Sequence, residues 1–338
     1  MTSRTRLAIF AAVAVLVVLG AAGYVVRQAA HRQAAQRAAT PVATNDDLAA
    51  VTAVPHLAFR STALGDTYGR VALAPLSDPD GPRTFTSAAC ERVYVRADGA
   101  ICLSAHRGLV TTYQSQLLGP DWDVRRELPL TGLPSRARLS ADGSFVATTT
   151  FVYGDSYAMP GQFSTRTLVS RAAGGPSEDL EQFRLMVDGK QVNAADRNVW
   201  GVTFADGDAF YATAASGGTT WLVRGSLRER TLTALREDVE CPSLSPDGTR
   251  IAFKKHGDLP AGQWRLAVLD LATMRETVLA EQRNVDDQAE WLDDSHVVYG
   301  LPRTGGAAAT SDIWVVDADG GGTPRVLVHD AWSPSVSR

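Results

Sequence analysis

Short apolar runs alternate with polar turns from Pro55 onward, and helical periodicity is almost absent from this region. The clearest unit is PSLSPDGTRIAF, Pro242–Phe253, in which two short apolar strands flank a turn. Proline presets the first central position of such a turn, Asp247 tolerates the second, and Gly248 can adopt the left-handed conformation that closes it. The pattern therefore predicts a β-hairpin.

The same hairpin recurs along the chain as ERVYVRADGAICLS, ARLSADGSFVATTT, VTFADGDAFYAT and AEWLDDSHVVYG. A second repeated segment consists of an apolar strand, a polar turn and another strand, and its six copies begin at Gly69, Tyr113, Ser164, Thr219, Gln263 and Ser311. Together they give four short antiparallel strands in about 47 residues, the size of a propeller blade. We predict an all-β fold, a six-bladed β-propeller.

The first unit lacks its first strand. PHLAFRS, Pro55–Ser61, resembles the second strand of the hairpin, and nothing suitable precedes it. AWSPSVSR, Ala331–Arg338, matches a first strand followed by a turn, with Trp332 in the place of Leu244 and Ser335 in the turn. We expect the C-terminal strand to complete the N-terminal blade, which closes the ring and leaves no exposed sheet edge.

Leu7–Val26 contains no charged residue and is about as long as a helix that spans a bilayer. We predict a transmembrane signal anchor here, after a basic tail at residues 1–6. The alternative is a cleaved signal peptide, because residues 21–23 are small. Basic residues flank the span on both sides, so the positive-inside rule does not fix its orientation. Residues 27–54 are predicted to be a stem that is helical up to Pro41 and a spacer beyond it, before the propeller at 55–338.

The turns and strands at Leu244–Phe253, Ile313–Gly322 and Trp332–Val336 resemble the TolB-like β-propeller repeat, a WD40-like repeat. TolB-like propellers are exported binding modules, so the resemblance implies an extracytoplasmic domain of the cell envelope. TolB itself carries a separate α/β domain ahead of its propeller. Residues 1–54 are too few for such a domain, so a role in the Tol system is not implied.

Composition and motifs argue against several classes of function. The 338 residues are 45% hydrophobic and 21% charged with a formal charge of -4, which argues against a nucleic-acid partner. Hydrolases that carry a similar propeller need a G-x-S-x-G motif, and the sequence has none. The six histidines form no H-x-x-x-H pair, and DADGGG, Asp317–Gly322, is interpreted as a surface turn. We predict no catalytic residue, cofactor or metal ligand.

Two cysteines could form a disulfide. Cys90 and Cys102 flank one predicted hairpin, and an exported domain would favour a bond between them. A simple turn places Tyr94, not Cys90, opposite Cys102, so the alternative is that these cysteines are small buried residues, like Cys241.

The longest irregular connection, after Thr150, carries exposed-type aromatic residues and a methionine that suit an interface. These candidate contact residues are Phe151, Tyr153, Tyr157, Met159 and Phe163. Trp122, in the turn GPDWD, is a further candidate. The alternative is that the connection folds onto its own blade. A second long connection, Leu185–Asn198, is polar and is predicted to be a solvated loop.

We therefore predict a single-pass membrane-anchored, extracytoplasmic propeller that acts as a non-enzymatic binding or scaffold module. Its expected partners are the membrane, through the helix, and an envelope protein or small ligand at the propeller face. The alternative is a propeller enzyme that acts on envelope glycans or peptides. Its catalytic carboxylates would then be Asp155, Asp286 and Asp287.

Overall fold

The computed structural model describes residues 3–38, 41–96, 99–108, 110–152, 164–304 and 310–338. Its elements, in chain order, are two α-helices, one 3-10 turn and 26 strands: α1 (Ser3–Ala38), α2 (Leu48–Thr52), β1 (His56–Ser61), β2 (Arg70–Pro75), β3 (Thr84–Ala89), β4 (Arg92–Arg96), β5 (Gly99–His106), β6 (Thr112–Leu118), β7 (Val124–Leu128), β8 (Leu133–Leu139), β9 (Phe145–Phe151), β10 (Thr165–Arg171), β11 (Glu178–Asp179), the 3-10 turn (Leu180–Gln182), β12 (Arg184–Val187), β13 (Lys190–Val192), β14 (Asn198–Phe204), β15 (Ala209–Ser216), β16 (Thr219–Ser226), β17 (Thr231–Glu237), β18 (Glu240–Leu244), β19 (Arg250–Lys255), β20 (Arg265–Asp270), β21 (Glu276–Val278), β22 (Glu290–Trp291), β23 (His296–Pro302), β24 (Ser311–Asp317), β25 (Arg325–Val328) and β26 (Ala331–Ser337).

The strands form six sheets, the blades of a β-propeller. From the inside outward, blade 1 is β26-β1-β2-β3, blade 2 is β4 to β7, blade 3 is β8 to β11, blade 4 is β14 to β17 followed by β12 and β13, blade 5 is β18 to β21, and blade 6 is β22 to β25. The predicted six-bladed propeller is confirmed.

Each blade has two ends, which form the two faces of the propeller. We call one the turn face: it carries the turn between the first and second strands, such as Asp247-Gly248, and the turn between the third and fourth. The opposite end is the loop face, which carries the connection between the second and third strands. Each innermost strand also begins at the loop face.

The repeated turns are stabilised by their own residues. In blade 5, Asp247 accepts hydrogen bonds from the Ser245 hydroxyl at 2.6 Å and from the Thr249 amide at 3.0 Å, and Gly248 has a φ of 72°. Asp142 accepts the same two bonds in blade 3, from Ser140 and Ser144. The hairpin predicted at Pro242–Phe253 is thus present, and it is the inner strand pair of blade 5.

The ring closes where β26 pairs antiparallel with β1, with Leu57 opposite Val336. This closure was predicted, but the predicted register is wrong. Pro334–Ser337 continues as strand and corresponds to Pro242–Ser245, so Val336 and not Trp332 takes the place of Leu244. The left-handed φ of Ser333 (56°) and Cys241 (49°) marks the same bulge in both strands, and Ser335 is in no turn.

The hydrophobic core lies between neighbouring blades. One cluster joins blades 1 and 6 through side chains such as Leu57, Phe59, Val298 and Ile313, all with no exposed surface. Equivalent clusters occupy the other contacts between blades. Alternate strand residues point to the two faces of each sheet, so every blade buries both faces against its neighbours.

Blade 4 is wider than the others. The segment Leu185–Asn198 was predicted to be a solvated loop, and this is wrong, because β12 and β13 extend the sheet of blade 4. β12 runs parallel to β17, with Leu185 opposite Leu232, and Leu185 is buried. The apolar residues Leu185 and Val187 lie two positions apart, which is the strand period that the polar composition concealed.

The N-terminal region is one helix followed by a segment bound to the propeller. α1 runs without a break through the predicted span and the first part of the stem. Its Ala12–Ala30 segment has a mean hydropathy of 1.8 and is long and apolar enough to cross a membrane by length and composition. Residues 41–54, expected to be a spacer, instead contact blade 1: Thr44 forms a bridge with Arg83, and Val51 of α2 is buried.

Candidate functional site at the mouth of the central channel

An ion pair crosses the centre of the propeller. Blades 3 and 6 stand opposite each other in a six-bladed ring, so a contact between their innermost strands spans the axis. The Arg138 guanidinium of blade 3 lies 3.3 Å from a carboxylate oxygen of Glu290 in blade 6, and both side chains are buried. Arg138 also donates a hydrogen bond to the carbonyl oxygen of Ala289 at 2.9 Å. The channel is therefore closed at this depth.

Two adjacent carboxylates lie closer to the loop face, on the connection that leads into β22. Asp287 accepts a hydrogen bond from the Arg92 guanidinium at 2.8 Å. Asp286 accepts one from the Lys254 ammonium at 2.7 Å, and the Arg136 guanidinium is 3.8 Å away. We call these five residues the channel-mouth cluster. Blades 2, 3 and 5 supply the cations, and the connection into blade 6 supplies the anions.

The side chains of the channel-mouth cluster differ in how far they are exposed to solvent. The side chains of Lys254 and Arg136 are only 3% and 6% exposed, whereas that of Asp286 is 38% exposed. Asp287 is buried beside Arg92. The positive charges thus lie beneath the surface, and the group offered to solvent at the mouth is the Asp286 carboxylate.

The charges in this cluster are strongly coupled. Burial by itself raises the pKa of Asp286, but the positive charges of Lys254 and Arg136 outweigh it, and the pKa is lowered. Burial by itself lowers the pKa of Lys254, but its neighbours Cys241, Asp286 and Glu240 outweigh it, and the pKa is raised. Asp286 is therefore ionised and Lys254 protonated at neutral pH.

Aromatic rings position the buried cations. The Lys254 ammonium lies 4.0 Å from the centre of the Trp264 ring, and the Trp264 indole nitrogen donates to Glu240 at 2.9 Å. Arg92 lies over the half-buried ring of Trp332 at 5.2 Å. Such cation–π contacts favour a charged group at a fixed place. Trp264 and Trp332 thus each contact a cation of the cluster.

Sequence reasoning named Asp286 and Asp287 as carboxylates of an alternative enzyme, and the structure brings these two together at the channel. It missed Arg92, Arg136 and Lys254. A signal existed: charged residues occur within innermost strands, where the repeat otherwise has apolar or small residues. These are Arg92, Arg96, Arg136, Arg138, Glu240 and Glu290, whereas Lys254 lies on the second strand of blade 5 and had no such signal.

The predicted interface connection lies largely outside the described residues, which include Phe151 but not Tyr153, Asp155, Tyr157, Met159 or Phe163. Phe151 ends β9 at the loop face and is half-buried, opposite Thr165 and Leu133. The Val152 amide donates to the Ser164 carbonyl at 3.0 Å. The connection therefore leaves and rejoins blade 3 at the loop face, the face that carries Asp286.

Trp122 is not an exposed contact residue, so its prediction is wrong. Its side chain is only 5% exposed and packs in a core cluster with Val51 and Val95. Its backbone is left-handed, with a φ of 66°, and this conformation turns the ring inward from the turn that follows β6. The polar turn suggested a surface position for the tryptophan, because the sequence does not reveal the left-handed backbone that buries its ring.

Cys90 and Cys102 form a disulfide, and both are buried. Cys90 lies in the connection after β3 rather than on the hairpin, and Val93 rather than Tyr94 is opposite Cys102. The bond therefore ties the connection between blades 1 and 2 to β5. Cys241 is free and buried.

Within the described ranges, no group of three or more His, Cys, Asp or Glu side chains is arranged to hold a metal ion. At the turn face the channel widens into a cavity of about 610 Å³. Tyr94, Arg96, Asp206, Asp247 and Glu290 are among the residues that line it. Glu290 therefore separates this cavity from the channel-mouth cluster.

No family model matches the chain, and no curated protein is similar to it in sequence. Among solved structures, it is similar to TolB from Acinetobacter baumannii, at 15% identity and a TM-score of 0.57, over 84% of this chain and 66% of that one. It is also similar to a puromycin hydrolase, at 14% identity and a TM-score of 0.50, over 80% of this chain and 43% of that one. The chain thus spans less than two thirds of either protein. The likeness shows that the fold is a TolB-like propeller.

Proposed function

We propose that this protein is a membrane-anchored, extracytoplasmic propeller that binds a partner at its loop face and does no chemistry on it. The observation that carries the proposal is the channel-mouth cluster, to which four blades contribute and in which the Asp286 side chain is 38% exposed. The Arg138–Glu290 pair closes the channel below it. A ligand therefore binds at the mouth and does not pass through.

The arrangement of charge indicates the chemistry of the partner. Asp286 is exposed and ionised, and the cations that hold it lie buried beneath it. A lysine or arginine side chain of a partner protein would pair with the free side of this carboxylate, and such charge-assisted contacts are among the stronger hydrogen bonds. We propose an envelope protein that presents a basic side chain to the mouth.

The location of the domain is supported by two features. The apolar part of α1 can cross a membrane by length and composition. The Cys90–Cys102 disulfide suits an oxidising compartment, because disulfides are rare where thiols are kept reduced. We therefore place the propeller outside the cytoplasm, with α1 as its anchor.

Binding fits the cluster better than catalysis does. A hydrolase or lyase with two carboxylates needs one of them to hold a proton at neutral pH as a general acid. The neighbouring cations keep the pKa of Asp286 low, so it accepts hydrogen bonds and does not supply a proton.

The test removes one charge, that of the Asp286 carboxylate. Asp286→Asn keeps the size of the side chain and removes its charge, and we expect it to lose the partner that wild-type protein retains after cross-linking in intact envelopes. Asp258→Asn is the matched control, because Asp258 is an exposed residue of the loop face between β19 and β20. Equal recovery of the partner with both variants would exclude the mouth as the binding site.

A further inference from the structure

The cavity at the turn face is large enough for a small organic ligand. Its volume of about 610 Å³ falls within the range of about 300–1,000 Å³ that is typical of small-molecule sites. Tyr94 and Glu290 are buried parts of its lining, and the rings of Phe204 and Tyr211 are half-buried there. Gly248, which also lines it, is exposed. The cavity is therefore accessible from solvent at the turn face.

Most of the carboxylates that line this cavity already have partners. Asp247 accepts hydrogen bonds within its own turn, including that from the Ser245 hydroxyl at 2.6 Å. Glu290 lies 3.3 Å from the Arg138 guanidinium. Among the described residues, only Asp206 of the lining carboxylates forms no ion pair. The cavity thus offers little free negative charge.

The arginines that line the cavity have no carboxylate partner. Within the described part of the chain, no ion pair with a side-chain carboxylate is formed by Arg96, Arg224 or Arg338. The arginines deeper in the channel and toward the loop face differ, because each of them lies beside a carboxylate, as Arg92 does beside Asp287. Positive charge at the turn-face cavity is therefore available to a ligand.

The Arg96 guanidinium is held in one position by its neighbours. It lies over the Tyr94 ring, 4.5 Å from the ring centre, and donates hydrogen bonds to the Tyr94 hydroxyl and, at 3.3 Å, to the Val95 carbonyl oxygen. Tyr94 is only 2% exposed and packs between blades 2 and 3. A guanidinium has more N–H donors than these bonds use. Arg96 is therefore a fixed cation that can still donate to an anion, and such preorganisation lowers the cost of binding.

We infer that the turn-face cavity binds a small organic oxyanion, a carboxylate or a phosphate ester, through the Arg96 guanidinium. A guanidinium matches both kinds of anion, since its parallel N–H groups donate to two oxygens at once. Arg224 and Arg338 add positive charge around the ligand. Phe204 and Tyr211 provide aromatic surface for its carbon skeleton.

Benzoate and phenyl phosphate are suitable probes, because each joins one oxyanion to an aromatic ring. Benzamide and phenol are the matched neutral control ligands. Titration of the full chain in detergent, followed by saturation-transfer NMR, measures the dissociation constant of each compound. We expect at least one oxyanion to bind about tenfold or more tightly than its neutral control. The oxyanion that binds more tightly identifies the class of the ligand.

Variants of the arginines show where the probe binds. Arg96→Met removes the fixed guanidinium and should weaken binding of the oxyanion about tenfold or more. Arg96→Lys keeps the charge without the parallel N–H groups and should restore only part of the affinity. Arg224→Met changes an exposed residue, so it should fold normally and weaken binding to a smaller extent. Arg228→Met is the matched control, because Arg228 is an exposed turn-face residue that pairs with Asp208 and is not one of the lining residues.

Each outcome decides the inference. Oxyanions that bind no more tightly than their neutral controls would overturn it. Unchanged binding by both Arg96→Met and Arg224→Met would also overturn it, because the probe would then occupy another site. No partner protein is present, and the Arg138–Glu290 pair separates this cavity from Asp286. The result is therefore independent of the proposed binding at the loop face.

Discussion

The two faces of the propeller are stabilised in different ways. At the turn face, Asp247 is bonded to residues two positions away in the sequence, and the same arrangement recurs at Asp142. At the loop face, Arg92 bonds Asp287, 195 residues away. Local, repeated contacts specify the blade, whereas distant, unrepeated contacts specify the site. The blades can therefore be predicted from the sequence, because their contacts join neighbouring residues. The site is much harder to predict, because its contacts join distant residues.

The largest expected effect is at the centre of the channel. Arg138→Met leaves Glu290 as a buried carboxylate without its cation, and we expect a loss of about 3–5 kcal/mol in the free energy of unfolding. The double variant Arg138→Met/Glu290→Leu should recover most of this loss, because no unpaired charge remains. Urea unfolding of the full chain in detergent, followed by tryptophan fluorescence, measures both.

A turn-face ion pair provides the control for that experiment. Arg228 and Asp208 are 3.4 Å apart, but the Arg228 side chain is 83% exposed, so Arg228→Met should cost well under ~1 kcal/mol. If this variant were as unstable as Arg138→Met, the contrast between exposed turn-face contacts and buried contacts of the channel would be wrong. If the double variant were no more stable than Arg138→Met, the unpaired charge would not be the cause.

A second loop-face group should make stability depend on pH. The Glu181 carboxylate accepts the amide hydrogens of Thr167 in blade 3 and Val199 in blade 4. Burial, followed by its hydrogen bond with Asp179, raises its pKa to about 9. The folded state therefore holds a proton that the unfolded state releases near pH 4.5.

The sign of this effect follows from linkage. The contribution of Glu181 is full below pH 4.5 and is lost as the pH rises through about 9, at up to ~1.4 kcal/mol per pH unit. Glu181→Gln cannot release the proton, so its stability should fall less between pH 5 and 9. Chemical unfolding across this range tests the expectation, and parallel curves for both proteins would refute it.

The smallest effect is expected at the repeated turns. Asp247→Ala removes the hydrogen bonds to Ser245 and Thr249 and should cost about 1 kcal/mol, because the side chain is partly exposed. Asp142→Ala should cost a similar amount. The two losses should add in the double variant, since these turns share no partner. A clear excess over the sum in thermal unfolding would show that the turn face is not locally stabilised.

Much of the fold could be predicted from the sequence because its determinants are short-range. The strand period of two, the turn residues and the repeat length predict the blades, and the missing first strand predicts the closure. The error in register arose because tryptophan was matched to leucine by hydrophobicity alone. The correct match for Leu244 is Val336, four residues beyond Trp332, and it shows only in the pairing of the strands.

The candidate site could be predicted only in part. Asp286 and Asp287 were identifiable as carboxylates on an irregular connection, but their cations lie on strands of three other blades, and only the closed ring brings them together. The stem, Leu185 and Trp122 were misjudged for a related reason. In each case an apolar side chain, such as Val51 in the stem, packs against another element that is not its neighbour in the sequence.

The pairing of β26 with β1 has a consequence for the way the protein is made. β1 is the first strand of the propeller to be synthesised, and its partner is the last. Until β26 emerges, the inner edge of β1 is unpaired and can associate with the strands of other chains. Because this pairing joins the most distant parts of the domain, closure should be the slow step of folding. An anchor that inserts first would keep each unfinished ring apart from its neighbours during that interval.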